Sequence, residues 1–505
     1  MTDDRNNLSV EFDRLLTERG VSPRFHEFQR LIPHRVRDIL LVASLYDSYV
    51  FEEEGRLYEG ILSEYVDLNL SNAPNLVRAP SGKRGLEMAA GERHFDLIIV
   101  TRSLGDMDAL TFAVRLREAG ITTPLVLLTY DNRELGEVQS REELSLFEWV
   151  FVWQGDFRIL IAIIKLLEDR LNVEHDTRAL GVQSIIVIED NAAFYSSFLP
   201  LIYTEVIRHH QHLISDSVNT AHRLLRMRAR PKILLCTNYE EAMRYYRSYE
   251  DCILGIISDV EFPREGKRDR QAGLRFAREV KASHLDVPIL LNSDNPDHER
   301  EARRLQVSFL YKSSPLFMHE LTRFIVQHFA FGDFVFRAPD GRAVGRAADL
   351  RALEEQLAII PDEILKHHAE RNHFSYWLKA RTEFYLADKL RPQRVTDYKD
   401  LGELRQHLLN SLRTFRRERE LGLISDFDPR TFVAEASFSR IGGGSLGGKA
   451  RGLAFMAGLL NNFDLRHKFE NVEITVPPAV VLGTDIFEEF MDNNDLSDFA
   501  IQVED

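Results

Sequence analysis

Residues 254–263 read Leu-Gly-Ile-Ile-Ser-Asp-Val-Glu-Phe-Pro, a short apolar run that stops at an acid with a proline close behind. Apolar runs of this length suit strands of a parallel sheet whose two faces are both covered by helices. The chain repeats the pattern. Ile185–Ile188, Ile233–Cys236, Ile289–Leu291 and Phe309–Tyr311 accompany this run, separated by amphipathic stretches, and Ile39–Val42, Leu97–Val100, Leu125–Leu128 and Trp149–Trp153 form an earlier series. Such strand-helix alternation predicts an α/β fold with parallel sheets. The two series superpose: Pro124-Leu-Val-Leu-Leu-Thr129 matches Pro288-Ile-Leu-Leu-Asn-Ser293, and Ile-Ile-Val-Thr101 lies where Ile-Ile-Ser-Asp259 lies. The period is too long for a solenoid, so the repeat is one of whole domains. Asp169–Gln183 reads as a polar connection that continues the last helix of the first copy, and the length of Asn191–Pro231 predicts an extended first helix in the second.

At roughly 150 residues per domain, 505 residues hold about three domains and a remainder. Apolar residues make up 44% of the chain and charged residues 28%, the balance of a protein with a substantial core, which excludes wholesale disorder and fibrous classes. A formal charge of −15 speaks against a nucleic-acid binder, whose surface must neutralise phosphates. Cys236 and Cys252 lie outside any CxxC or metal-ligand spacing, which excludes a disulfide scaffold and a zinc ribbon. The acidic start lacks the pattern of a signal peptide, and no apolar run reaches the ~20 residues of a membrane span. A cytoplasmic protein without membrane contact is expected.

In open α/β sheets, ligands bind beyond the carboxyl ends of the strands. In the second copy those ends carry Glu189 and Asp190, then Asp259, Ser293 and Lys312. Clustered carboxylates repel unless a hard divalent cation joins them, and Mg²⁺ takes one or two carboxylates with waters and phosphoryl oxygens. A carboxylate so placed can attack a phosphoryl donor in line to form an aspartyl phosphate, while Mg²⁺ and a lysine neutralise the transferred group. A single acid after a strand is usually a solvated loop residue; the whole set at successive strand ends is a stronger signal.

Over about 182–326 this copy resembles the receiver domain of two-component response regulators. The resemblance is carried by Val187-Ile-Glu-Asp-Asn191, Ile256-Ile-Ser-Asp-Val-Glu-Phe-Pro263, Pro288-Ile-Leu-Leu-Asn-Ser-Asp294 and Phe309-Leu-Tyr-Lys-Ser-Ser-Pro315. It implies a flavodoxin-like, doubly wound fold with Asp259 as phosphoacceptor and Mg²⁺ held by Glu189, Asp190, Asp259 and the backbone of Glu261. It further implies that Ser293 and Lys312 sense the phosphate, that Phe309 changes rotamer, and that a sensor histidine kinase or a small phosphodonor is the partner. Ser313 departs from the family, which usually has a proline there.

The first copy has Ala43, Ser44, Thr101, Thr129 and Gln154 at the corresponding positions. Without carboxylates there is neither nucleophile nor metal site, so 38–171 reads as a pseudo-receiver for dimerisation, docking or signal input. Asp106 and Asp108 nearby read as turn residues.

After Phe336 the alternation stops, and residues 339–349 have the composition of a linker or short hairpin. Leu350–Leu390 and Leu401–Leu421 show the apolar spacing of amphipathic helices, with Pro361-Asp-Glu363 as a helix start. His367, His368 and His373 do not share one helix face well and read as surface or interface histidines. Arg413–Arg419 reads as a salt-bridged helix face. Further on, Ile441-Gly-Gly-Gly-Ser-Leu-Gly-Gly-Lys-Ala-Arg-Gly-Leu453 contains GxxxxGK, but Ala450 replaces the Ser or Thr of a Walker loop and no clear buried strand leads in. A glycine-rich turn feeding a helix can still present N–H groups and a lysine to phosphate.

Residues 438–505 resemble the start of the nucleotide-binding domain of pyruvate phosphate dikinase and phosphoenolpyruvate synthase, an ATP-grasp fold. The match rests on Leu446-Gly-Gly-Lys-Ala450 and on residues 476–491, Val-Pro-Pro-Ala-Val-Val-Leu-Gly-Thr-Asp-Ile-Phe-Glu-Glu-Phe-Met. It implies ATP as a ligand, with Lys449 on its phosphates and Gly447 and Gly448 allowing close approach. The family's later functional parts have no counterpart before Asp505, so the opening of a larger domain is expected.

The expected organisation is an N-terminal helical segment (1–36), a pseudo-receiver (37–172), a receiver (182–332), a helical linker module (345–435) and a partial ATP-grasp domain (436–505). The expected function is phosphorelay signalling through Asp259 that regulates an attached dikinase-like domain, with homodimerisation through the receiver units. The N-terminal part of an ATP-dependent dikinase and a non-catalytic scaffold are the alternatives; no complete enzyme active site is read within these residues.

Overall fold

The computed structural model describes residues 31–55, 57–67, 73–130, 145–214, 226–283, 287–390, 398–420, 424–427, 438–462 and 472–494, with 469 and 496. The helical segment expected over 1–36 falls outside them except for 31–36, which carry no helix. The near-continuous apolar runs form two five-stranded parallel sheets. The first contains β1 (Asp38–Val42), β2 (Asn75–Ala79), β3 (Leu97–Thr101), β4 (Leu125–Thr129) and β5 (Trp149–Val152), in the order β2-β1-β3-β4-β5. The sequence reading had no β2. Its Asn-Leu-Val-Arg-Ala lies at the sheet edge with only Ala79 buried, so no long apolar run was needed to form it.

The second sheet contains β6 (Ser184–Ile188), β7 (Lys232–Cys236) and β8 (Ile253–Asp259), then, beyond a hairpin of β9 (Phe262–Arg264) and β10 (Lys267–Asp269), β11 (Ile289–Asn292) and β12 (Ser308–Leu310). Its order, β7-β6-β8-β11-β12, repeats that of the first. This is the doubly wound, flavodoxin-like topology, and the order reverses at β6 and β8, where a crevice opens at their carboxyl ends. Every residue of β6, β7 and β8 is buried, the apolar stretches Ile185–Ile188, Ile233–Cys236 and Ile253–Ile257 between the sheet's two helix layers and the polar ends of the strands with them. The first helix of this unit is extended, Ala192–Ile214.

The two units share a core. The helix Ala192–Ile214 places Phe198, Ile202 and Val206 in one cluster with Ile159, Ile163 and Leu167 of the helix Arg158–Leu180. Val152 donates its N–H to Ser196 Oγ at 2.9 Å, and the Tyr195 hydroxyl donates to the Val150 carbonyl. The polar connection over 169–183 does continue the first unit's last helix, which ends at Gly181 in the left-handed conformation (φ 66°). Its polarity, however, faces inward. Asp169 and Asp176 are fully buried. Asp169 receives both terminal nitrogens of Arg230 at 2.8 and 2.9 Å, the Tyr203 hydroxyl at 3.0 Å and the Ile233 N–H at 3.0 Å. Asp176 pairs with the buried Lys232 ammonium at 2.7 Å. What reads as a linker is thus the ionic part of the seam between the units, and its partners lie too far along the chain for local spacing to show them.

Residues 334–347 form an antiparallel hairpin, β13 (Phe334–Arg337) with β14 (Ala343–Ala347), followed by helices at Leu350–Ile359, Asp362–Glu370, His373–Ala380, Phe384–Leu390 and Leu401–Glu420. Leu353, Leu365, Trp377 and Leu412 lie in their common core. His368 is buried here, where its Nε2 accepts the Arg337 N–H at 2.8 Å. The ring proton therefore sits on Nδ1, which donates to His373 Nδ1 at 2.9 Å. Burial, with His373 and His367 beside it, lowers the His368 pKa to about 3. It is a neutral structural histidine. Arg413 and Arg416 both pair with Glu354 on the facing helix, each at 2.7 Å.

The last described segment is a three-stranded parallel sheet of β15 (Ile424–Asp426), β16 (Phe438–Ile441) and β17 (Ala479–Leu482) with helices Gly447–Asn462 and Thr484–Asn493. A short strand, β16, leads into the glycine-rich loop and ends at Ile441; Ser439 is buried and Arg440 and Ile441 are half-buried, so no continuous buried run precedes the glycines. Among the described residues no helix is long and apolar enough to cross a membrane.

Candidate functional site

β8 is seven residues long and buried throughout, and it ends on Asp259, which is 5% exposed at the crevice. One carboxylate oxygen, Oδ1, accepts the N–H of Val260 at 2.6 Å and of Glu261 at 3.3 Å. The other, Oδ2, accepts from Lys312 Nζ at 2.7 Å. The same ammonium reaches Glu189 Oε2, also at 2.7 Å, and stacks 4.5 Å from the centre of the Phe194 ring. Glu189 follows β6 directly and is fully buried, with Oε1 accepting the Asn191 N–H at 3.1 Å. The helix Ala272–Ser283 starts hard against this floor: a Cβ on Gly273 would lie 2.2 Å from the Asp259 carbonyl oxygen, so only glycine lets this helix and β8 approach this closely.

Glu189, Asp190 and Asp259 each present a carboxylate oxygen within 4.8 Å of the others, the one such group of three or more among the described residues. Burial, reinforced by the Asp259 charge and opposed by Lys312, raises the Glu189 pKa to about 7. Burial also raises that of Asp190, with Arg268 opposing. Lys312 is itself desolvated, yet Glu189 and Asp259 outweigh this and hold its ammonium charged. A crowded, all-oxygen donor set in which burial disfavours the charge on Glu189 and Asp190 is what a hard divalent cation relieves, and it suits Mg²⁺. The residues fit that ion.

Four of the residues picked from the sequence, Glu189, Asp190, Asp259 and Lys312, therefore meet. Ser293 lies just past β11 and is buried, but its hydroxyl is 2.9 Å from Nδ1 of the buried His298 and accepts the Asn295 N–H at 3.3 Å. His298 was not anticipated, and neither was the β9–β10 hairpin, although the long polar run between Pro263 and Gly273 was a visible signal of an insertion. Glu261 lends its N–H to Asp259. Phe309 is half-buried on edge strand β12, its ring edge-on to Tyr311 at 5.2 Å.

In the first unit the position of Asp259 is filled by buried Thr101, which donates to Oδ2 of the buried Asp47 at 2.8 Å. Asp106 and Asp108 are helix caps. The first accepts the N–H groups of Gly82 and Lys83 at 2.7 and 2.8 Å, the second that of Thr111 at 2.7 Å. Gln154, at the lysine position, reaches the Ala193 carbonyl of the second unit at 3.4 Å.

In the glycine-rich loop, Gly443 donates its N–H to Asp485 Oδ2 at 2.6 Å and Ser445 donates to Thr484 Oγ1 at 3.0 Å. The backbone N–H groups of Gly443 and then Gly444 hold the Asp485 carboxyl below its usual range. Gly447 (φ 69°), Gly448 and Lys449 are exposed in the first turn of the helix that follows.

No family model matches the sequence, and no curated protein matches it. Among solved structures, the chain is similar to the receiver domain of a Francisella response regulator, at 16% identity and a TM-score of 0.21, covering 27% of this chain and 98% of that one. It is also similar to the signal receiver domain of an HD domain-containing protein from Pseudomonas fluorescens, at 20% identity and a TM-score of 0.20, covering 29% and 99%.

Proposed function

We propose that the unit over 182–332 is a phosphoryl-accepting receiver in a phosphorelay, with Asp259 as the acceptor. The observation that carries this is the buried Asp259 carboxylate sharing one ammonium, Lys312, with Glu189, beside a third acid. An Asp259 oxygen attacks the phosphorus of an acyl phosphate or a phosphohistidine. A P–O bond to Asp259 forms as the donor's P–O or P–N bond breaks, and the leaving group departs with the electron pair, the imidazole taking a proton from water. Lys312 keeps its place and neutralises the incoming oxygens, and the Ser293 hydroxyl is the nearby donor that can turn to them. Glu189, Asp190, Asp259 and the backbone of Glu261 would hold Mg²⁺, which would supply charge neutralisation for the transferred group. Incubation with acetyl phosphate and Mg²⁺ is expected to add one phosphoryl group per chain, read by intact mass, and EDTA to reduce this to background. Uptake indifferent to EDTA would reject the reading.

On the same reading, 37–172 is a pseudo-receiver that docks or dimerises, 345–435 is a helical linker, and phosphorylation regulates a dikinase-like nucleotide-binding segment over 436–505. Support comes from the strand-loop-helix run of β16, the glycines and the exposed Lys449. Equilibrium dialysis is expected to show ATP binding that Lys449→Ala weakens at least about tenfold, since a lysine on phosphate contributes a charge-assisted bond; equal binding by the variant would remove Lys449 from the site.

A further inference from the structure

The β9–β10 hairpin is the part of the site that this chemistry leaves unused. It is inserted between the acceptor strand and the helix Ala272–Ser283 and is braced on several sides. Phe262 is fully buried, the Arg264 guanidinium lies 5.1 Å from the centre of the Tyr239 ring, Glu265 donates its N–H to Glu240 Oε1 at 2.9 Å, and Asp269 meets Arg275 at 3.3 Å. Arg268 rides on this ribbon, its guanidinium 3.7 Å from the Asp190 carboxylate and 3.9 Å from that of Glu261. Both distances exceed a hydrogen bond, and the side chain is 64% exposed, so the charge field rather than a fixed bond holds it there. A guanidinium in that position is free to turn to a stronger anion.

We propose that Arg268 is a phosphoryl-binding residue of this site that also restrains cation entry before transfer. The inference rests on Asp259 being the acceptor. Before transfer, a positive charge beside Asp190 competes with a divalent cation for the same carboxylates. After transfer, a phosphoryl group brings further negative charge and strong acceptor oxygens, to which arginine binds readily. Removing Arg268 therefore has two effects of opposite sign, which loss of a merely structural arginine would not produce.

The test is calorimetry on the full chain, first with Mg²⁺ alone and then with beryllofluoride at saturating Mg²⁺, where beryllofluoride stands in for the phosphoryl group. Arg268→Ala is expected to bind Mg²⁺ about threefold to tenfold more tightly and beryllofluoride about tenfold more weakly, the modest size following from an exposed charge. Arg268→Lys, which keeps the charge but loses the fork, should match wild type for Mg²⁺ and remain weakened for beryllofluoride. If wild type binds beryllofluoride and Arg268→Ala either equals it or shifts both affinities in the same sense, the Arg268 inference is overturned while the Asp259 reading stands. If wild type binds no beryllofluoride, both fall together.

Discussion

Asp259→Asn is expected to take up no phosphoryl group from acetyl phosphate, a fall of at least about a hundredfold, and yet to be at least as stable as wild type above about pH 7. The first half follows because an amide oxygen is not a competent nucleophile toward phosphorus. The second follows from the crowding at Glu189, which burial and the Asp259 charge push up to about 7. A carboxyl raised on folding contributes stability that is fully present below its unfolded value and is lost as pH rises through about 7. Removing the Asp259 charge reduces that loss, and Lys312 still pairs with Glu189 at 2.7 Å. Thermal midpoints above pH 7 together with phosphoryl stoichiometry check both halves. A variant that loses uptake because it unfolds would show a lower midpoint and would not support the account.

Asp169→Ala is expected to be the most damaging substitution for stability. Asp169 is fully buried and accepts four hydrogen bonds: two from Arg230, one from the Tyr203 hydroxyl and one from the Ile233 N–H. The variant leaves the Arg230 guanidinium, itself buried, without its counter-charge in the seam between the two sheets. Breaking a buried pair from one side costs about 3–5 kcal/mol, several times an exposed ion pair. Urea unfolding should show this loss, with Asp169→Asn losing less because it keeps an acceptor. A cost under about 1 kcal/mol, the range of a surface pair, would mean that Arg230 finds solvent and that the seam is not closed.

The two five-stranded sheets were legible because β6, β8 and β11 are built on short apolar runs, and a strand buried on both faces has little other choice. The acidic site was legible for a related reason: in a parallel sheet the residues just after the strands share one edge, so Glu189, Asp259 and Lys312 could be brought together from strand order alone. Edge strand β2 was missed because half its surface meets solvent and needs no apolar run. The ionic seam was missed because Asp169 finds Arg230 and Asp176 finds Lys232 by tertiary packing, which local spacing does not encode. Arg268 was missed for the same reason, and His298 because a polar residue five positions after Ser293 gives no sign that the chain turns back on itself there. Arg268 gains its role from Asp190 on another segment. In the C-terminal segment the glycines were visible, but not that Asp485 would occupy their N–H groups.

The central claim is a division of labour, with acceptor chemistry confined to the second of two similar units. Its most direct test is to phosphorylate the full chain with acetyl phosphate and Mg²⁺, reduce the acyl phosphate with borohydride, which converts a phosphorylated aspartate to homoserine, and locate that residue by peptide mass spectrometry. The account predicts homoserine at position 259 and at no position in 37–172. Homoserine at Asp47, Asp106 or Asp108, or its absence at 259 in a chain that has taken up phosphate, would contradict it.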